Sequence, residues 1–99
     1  MYIWRVENKN GNGCYKDKTL SSILRNHRIS KKRPSPLRDK GIERGLLQEE
    51  ICGFLNLSQA LTWFTTDELN SLRKLGYELS KIKVRKITAI GERQVLAIR

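Results

Sequence analysis

The sequence is poor in the side chains that bind metals and form crosslinks. It has two cysteines, Cys14 and Cys52, which lie 38 residues apart and form no CxxC pair, and its one histidine is His27. This spacing matches no common zinc module, and a disulfide is not expected in a reducing cytosol. We therefore expect free thiols that are buried or half-buried, with no metal and no cofactor.

Long apolar runs are also missing. No stretch approaches the roughly 20 apolar residues that a membrane-spanning helix needs, and the mean hydropathy is −0.55. The first residues, M-Y-I-W-R-V-E, place Arg5 and Glu7 where a signal peptide needs an apolar segment. The sequence therefore predicts a cytoplasmic protein that has no membrane partner.

Acidic residues are scarce relative to basic ones. Ten Asp and Glu stand against 20 Lys and Arg, which gives a net charge of +10 in 99 residues. Residues 25–45 carry +6 and residues 81–99 carry +5, whereas residues 46–80 carry −3. Two basic blocks thus flank an acidic middle, which predicts a positive face that attracts polyanions.

Proline is nearly absent, and both prolines fall in one basic stretch. Residues 30–40 read S-K-K-R-P-S-P-L-R-D-K, with Pro34 and Pro36 among five bases and one acid. Proline removes a backbone donor and favours extended geometry in the residue before it. We expect an exposed basic loop at about 28–41 within a single domain of residues 1–99, because a second core would have too little apolar surface to bury.

Helix and strand signals lie on both sides of this loop. Residues 2–7 alternate β-forming and charged side chains and predict a strand. Ser58 is a candidate cap for a helix over 58–64. Thr65 and Glu68 have the spacing of a capping box ahead of a second helix over 66–75.

The last part of the chain has the pattern of a hairpin. Its apolar residues change phase, which predicts a bulge or bend near 80–81, and residues 89–92 predict the turn. With the first strand alongside, the sequence predicts an α+β fold. The hairpin and the N-terminal strand form a small antiparallel sheet, and two short helices pack on one face.

The basic residues of the loop and the hairpin are the candidate contacts for nucleic acid or another acidic partner. In a strand, Lys81, Lys83 and Arg85 share one face, and such a row of like charges favours an anion lying across it. Tyr15 is the aromatic ring expected to be most exposed. The candidate binding residues are Arg25, Arg28, Lys31, Lys32, Arg33, Arg38, Lys40, Arg44, Lys81, Lys83 and Arg85.

Three motifs, spaced along most of the chain, resemble those of a known group of proteins. They are R-V-E at 5–7, P-x-P-x-x-D at 34–39, and C-G-F at 52–54 followed by W-F at 63–64. With these motifs the chain resembles small phage and prophage proteins of unassigned function. The resemblance implies a phage-like origin in a bacterial host and implies no mechanism. Arg33 departs from the related pattern, which tends to have His before the first Pro.

Three functions stay open on this basis. The favoured one is a non-enzymatic phage accessory protein, monomer or homodimer, that binds a polyanion (DNA, RNA or a nucleoprotein) or an acidic host protein. The first alternative is an inhibitor of a host defence complex through protein–protein contacts. The second is an ADP-ribosyltransferase-like enzyme, suggested by an Arg on the first strand and by Glu92 or Gln94 near the last. Because no nucleophile–base pair is visible by spacing, no enzymatic activity is expected.

Overall fold

The computed structural model describes residues 1–25, 27 and 31–99, which form an α+β fold. The strands and α-helices, in chain order, are β1 (Tyr2–Glu7), β2 (Glu50–Gly53), α1 (Leu57–Trp63), α2 (Thr66–Lys74), β3 (Glu78–Lys83), β4 (Lys86–Ile90) and β5 (Val95–Ile98). Short 3-10 helices lie at Cys14–Lys16, Lys18–Leu20 and Pro36–Arg38. All strand pairs are antiparallel. The predicted class, antiparallel strands with two short helices, is confirmed.

The strands form two sheets that meet at one crossing point. β1 pairs with β3, and β2, β5 and β4 form the second sheet in that order. Trp4 and Phe54 join the sheets by exchanging backbone hydrogen bonds of 2.8 and 2.7 Å. A Cβ at Gly53 would lie only 2.7 Å from the Trp4 carbonyl oxygen. The glycine of the C-G-F motif therefore permits this close approach of the two backbones.

The arrangement of the C-terminal strands differs in detail from the sequence prediction. The C-terminal hairpin consists of β4 and β5, and β1 pairs with β3, which lies in the other sheet. The pairing of β1 with β3 is regular through Ser80–Lys81, and the irregular register lies instead between Ile87 and Ala89. The predicted bulge at 80–81 was wrong because Leu79 and Ile82 pack into two different cores, so a change of apolar phase needs no bulge.

Each face of the β1–β3 sheet contacts a separate apolar core. The helices cover one face, and this larger core contains Val6, Cys14, Leu20, Phe54, Ala60, Trp63, Phe64, Leu72 and Tyr77. The second core contains Ile3, Val84, Val95 and Ala97 and lies between the two sheets. Both faces of β1 therefore contact apolar cores. A register shift of one residue would move its side chains to the opposite faces, so its register is strongly specified.

Both helices are capped at their N-termini. Asn56 caps α1 by accepting the Gln59 N–H at 2.9 Å, so the helix begins before Ser58, the predicted cap. The predicted capping box of α2 is confirmed: the Glu68 N–H donates to the Thr65 hydroxyl, and the Thr65 N–H donates to the Glu68 carboxylate. None of the described residues forms a helix long and apolar enough to cross a membrane.

Candidate functional site

The basic loop is attached to the rest of the molecule through Asp39, the one acid of residues 31–40. Its carboxylate accepts the backbone N–H groups of Glu92 at 2.9 Å, of Arg93 at 3.2 Å and of Gln94 at 3.1 Å. Asp39 is 0% exposed. Because the carboxylate satisfies three successive amides of the β4–β5 turn, it acts as a structural anchor for the loop.

Two further contacts attach the loop to the same turn. The Gln94 side-chain amide donates to the Pro34 carbonyl oxygen at 2.7 Å, and the Glu92 N–H also donates to the Lys40 carbonyl oxygen at 3.0 Å. Gly91 packs so closely that a Cβ there would lie 2.5 Å from an Asp39 carboxylate oxygen. The P-x-P-x-x-D motif is therefore the segment by which the loop docks onto the hairpin.

Four cations surround one open depression at this junction. Lys31, Arg38, Lys40 and Arg93 line a depression of about 530 Å³, together with Pro34, Asp39 and Glu92. We call these four residues the loop cation cluster. Two carboxylates, Asp39 and Glu92, also line the depression, so the cations outnumber the acids there. The depression therefore presents a positive surface on a fixed backbone.

The structure thus places three of the predicted binding residues, Lys31, Arg38 and Lys40, around one depression. Sequence reasoning missed Arg93, the fourth. Arg93 lies in the turn of the hairpin, and no local sequence signal places that turn next to the loop. Lys32, also predicted, lies beside the cluster in a small recess that Arg93 shares.

The other predicted residues of this part of the chain do not line the depression where the structure describes them. Arg25 is exposed in the turn that precedes His27, and Arg28 falls outside the described residues. Arg33 is half-buried and turns inward, where its Nε donates to the Trp63 carbonyl oxygen at 2.8 Å. Arg33 therefore connects the loop to the end of α1.

Arg44 forms an ion pair within the protein. Its guanidinium donates to both carboxylate oxygens of Glu50, at 2.7 and 2.8 Å, and the Glu50 side chain is only 1% exposed. Thr88 and the Leu47 N–H also donate to Glu50. The hydrogen bonds from Arg44 outweigh the effect of burial and lower the pKa of Glu50 to about 2. The geometry gives Arg44 the role of counter-ion to a buried acid.

The predicted cations of the C-terminal region lie on a different part of the surface. Lys81 and Lys83 are exposed on β3, and the Lys81 ammonium lies 5.3 Å from the centroid of the Tyr2 ring. Arg85 follows β3, and its Nε donates to the Arg99 carbonyl oxygen at 2.8 Å. Within the described part of the chain, none of these three residues lines the depression of the loop cation cluster.

A second depression lies behind the loop and is mainly apolar. This aromatic cleft has a volume of about 270 Å³. It is lined by Arg5, Val6, Gly13, Cys14, Tyr15, His27, Arg33, Pro34, Ser35, Pro36, Cys52, Gly53, Phe54, Trp63, Phe64 and Gln94. Most residues of the three motifs found in the sequence are among them. Sequence reasoning did not predict this cleft because these residues come from four separate segments.

A chain of hydrogen bonds forms one side of the cleft. The Trp63 indole N–H donates to the Tyr15 hydroxyl oxygen at 2.7 Å, and that hydroxyl lies 2.5 Å from His27 Nδ1. His27 Nε2 lies 2.8 Å from a carboxylate oxygen of Glu68. Each group is satisfied when the hydroxyl donates to Nδ1 and the imidazole donates from Nε2 to an ionised Glu68.

The ionisation of Glu68 and Tyr15 agrees with this arrangement. Burial favours a raised pKa for Glu68, but the hydrogen bonds from the Thr65 backbone and from His27 outweigh it and lower the pKa. Burial raises the pKa of Tyr15 above its ordinary value, so the phenol keeps its proton. Tyr15 as a whole residue is nevertheless 54% exposed, as the sequence predicted. The contacts therefore fix an exposed ring in place by its hydroxyl group.

Arg5 and the two cysteines also line the aromatic cleft. Arg5 donates to the Cys52 carbonyl oxygen at 2.5 Å and to Glu7 at 3.1 Å, and its side chain is 12% exposed. Both cysteines are free. Burial raises the pKa of Cys14 to about 11 and also raises that of Cys52. Both sulfurs are therefore thiols at neutral pH, which favours packing over nucleophilic chemistry.

The whole chain matches a family of small bacteriophage proteins. The family model described as Bacteriophage T4 Y00F protein matches residues 1–99, so the chain belongs to that family. This confirms the resemblance to phage-encoded proteins. Searches of curated proteins and of solved structures found no match.

Proposed function

We propose that this phage protein is a non-enzymatic accessory protein that binds nucleic acid through the loop cation cluster. The observation that carries the proposal is the attachment of the loop. Asp39, Pro34 and Gln94 fix its backbone, so that four cations face one depression before any partner arrives. Because the backbone is ordered in advance, binding costs little conformational entropy beyond that of the side chains.

Phosphates are the anions that best suit such a surface. Nucleic acid supplies a regular series of them, and each phosphate that a Lys or Arg neutralises releases counterions. The described elements include no α-helix that carries the cluster, since Arg38 ends a short 3-10 helix and the other three residues lie in the loop and the hairpin turn. Contacts of this kind position a backbone without reading base edges, so binding is expected to be weakly sequence-selective.

The test is binding of labelled single-stranded and duplex DNA and RNA to the wild type and to the triple variant Lys31→Ala, Arg38→Ala, Lys40→Ala. We expect affinity to fall with salt in the wild type, and to fall roughly tenfold or more at low salt in the variant. The three side chains are exposed, so the free energy of unfolding is expected to change by less than about 0.5 kcal/mol per substitution.

A matched control removes the same charge elsewhere. Lys9, Lys18 and Lys74 are exposed and line none of the depressions described. A triple alanine variant at these positions is expected to bind close to wild type. Equal losses in both variants would make the net charge, rather than the cluster, responsible for binding and would overturn the proposal.

The alternatives predict other results. An inhibitor of a host complex binds an acidic protein through the same cluster. In pull-downs the wild type then captures a protein that the triple variant does not, and neither form binds nucleic acid.

The enzymatic alternative has one observation in its favour, since Arg5 and Gln94 both line the aromatic cleft. It predicts that the purified protein binds or consumes NAD, and failure to do either removes it.

A further inference from the structure

The aromatic cleft and the loop cation cluster are neighbours on the surface. Pro34 lines both depressions. The small recess that contains Lys32 shares Trp63 with the cleft and Arg93 with the cluster. The shared lining residues place the cleft next to the loop cation cluster, so a ligand group held in the cleft has cations of the loop nearby.

The walls of the cleft suit a planar ring. The Phe54 ring packs against Trp63 and Phe64, with ring centroids 5.4 and 6.2 Å apart. Contacts among the three rings therefore fix this part of the wall. Tyr15 lies nearly parallel to Phe64, with an interplanar angle of 23° and centroids 6.1 Å apart. Because Tyr15 is exposed while its hydroxyl is held by Trp63 and His27, its ring is a fixed platform on which another ring can stack.

The size and polarity of the cleft limit what that ring can be. A volume of about 270 Å³ lies just below the range of about 300–1,000 Å³ that holds drug-sized ligands. Arg5, Arg33, His27 and Gln94 add donors and acceptors to an otherwise apolar lining. Polar side chains within a mainly apolar lining suit a heteroaromatic ring system, whose faces are apolar and whose edges are polar.

We propose that the aromatic cleft takes one unpaired nucleobase, stacked on Tyr15, while the phosphates that follow it lie along Lys32 and the loop cation cluster. This inference rests on the proposed function and makes it more specific. A base paired within a duplex is not available to a cleft, whereas an unpaired base exposes its face and its edges. The protein therefore prefers single strands.

The first experiment compares a short single strand with an abasic strand that has the same length and phosphates. We expect the abasic strand to bind about tenfold more weakly, because stacking on an aromatic side chain is lost. The triple variant of the loop cation cluster is expected to weaken both strands. Equal affinity for the two strands, with the loop variant still impaired, would overturn the base site alone. Loss of all strand binding would overturn the proposed function as well.

A pair of substitutions isolates the ring of Tyr15. Tyr15→Phe and Tyr15→Ala both remove the hydroxyl that contacts Trp63 and His27, but only Tyr15→Ala removes the ring. We expect Tyr15→Phe to keep the preference for the strand with bases and Tyr15→Ala to lose it. Equal preference in the two variants would contradict stacking on this residue, and circular dichroism establishes that each variant folds.

A fluorescence measurement distinguishes a free nucleotide from a strand. In a Trp4→Phe background the one remaining tryptophan is Trp63, which lines the cleft. A mononucleotide and a single strand are both expected to quench it, and a duplex and the abasic strand are not. If the strand quenches at concentrations far below those that the mononucleotide requires, the ligand is a strand. If the two require equal concentrations, the ligand is a free nucleotide. No quenching by either would overturn the base site.

Discussion

At the scale of single residues, the most informative side chain of the basic loop is its acid. Asp39 is fully buried and accepts three backbone N–H groups of the hairpin turn. The exposed bases around it contact far less of the molecule. The Asp39 carboxylate is the main attachment of the loop, beside the hydrogen bonds to Pro34 and Lys40. The positions of the nearby cations therefore depend on this carboxylate.

Replacing Asp39 is therefore expected to cost more than replacing any base of the loop. Asp39→Ala removes the acceptor of the Arg93 and Gln94 N–H groups and leaves the Glu92 N–H only the Lys40 carbonyl oxygen, so we expect a loss of about 2–4 kcal/mol in the free energy of unfolding. Urea unfolding measures it. Asp67→Ala is the control, because Asp67 is exposed in the first turn of α2, where a lost acid costs about 0.3–1 kcal/mol. Similar values for the two variants would contradict the anchoring role.

Glu50 makes the stability depend on acidic pH. Arg44 holds its pKa at about 2, below the ordinary value of 4.5, so ionised Glu50 stabilises the fold at every pH above about 4.5. That contribution is lost as the pH falls from about 4.5 to about 2. We expect Glu50→Gln to be less stable than the wild type at neutral pH and to lose less stability on acidification.

Urea unfolding from about pH 7 down to about pH 2 measures this difference. The exposed neighbour Glu49 provides the control, since Glu49→Gln leaves the Arg44–Glu50 pair intact and is expected to follow the wild type. If Glu50→Gln lost as much stability on acidification as the wild type, the pair would not be the cause.

At the scale of secondary-structure elements, helix α2 depends on its capping box. Thr65→Ala removes the acceptor for the Glu68 N–H, and we expect a loss of about 1 kcal/mol in the free energy of unfolding. Thr66→Ala, at the first helical position, is the matched control and is expected to be close to neutral. A loss of equal size at Thr66 would show that helix propensity, rather than capping, explains the effect.

Local signals in the sequence predicted the elements more accurately than their arrangement. The capping box and the first strand depend on neighbouring residues, and both were found as predicted. The pairing of β1 with β3, and the two-core environment of β3, depend on which distant segments meet. Leu75 shows the same limit: it is an apolar residue at the end of α2, yet it is 56% exposed.

The same distinction holds for the candidate site. Charge along the chain predicted Lys31, Arg38 and Lys40 because they are close in sequence, whereas Arg93 joins them only through the contact of the hairpin turn with Asp39. The aromatic cleft could not be predicted at all from spacing. Its walls come from β1, the loop, the end of β2 and the end of α1, and their side chains resemble ordinary core residues in the sequence.

At the scale of the whole molecule, the net charge of +10 divides into groups with different roles. Arg44 neutralises a buried acid, and Arg5 and Arg33 are hydrogen-bonded within the fold. Lys31, Arg38, Lys40 and Arg93 face one depression. Only part of the positive charge is therefore available to a partner. The proposed function depends on the cations that the fixed loop holds.

The measurement that tests this account most directly is the salt dependence of single-strand binding in single variants. Each phosphate contact contributes about −0.7 to the slope of log affinity against log salt concentration. We predict that Lys31→Ala, Arg38→Ala and Lys40→Ala each make the slope shallower by about that amount, and that Lys74→Ala leaves it unchanged. Equal slopes in all four variants would contradict a phosphate-binding role for the loop cation cluster.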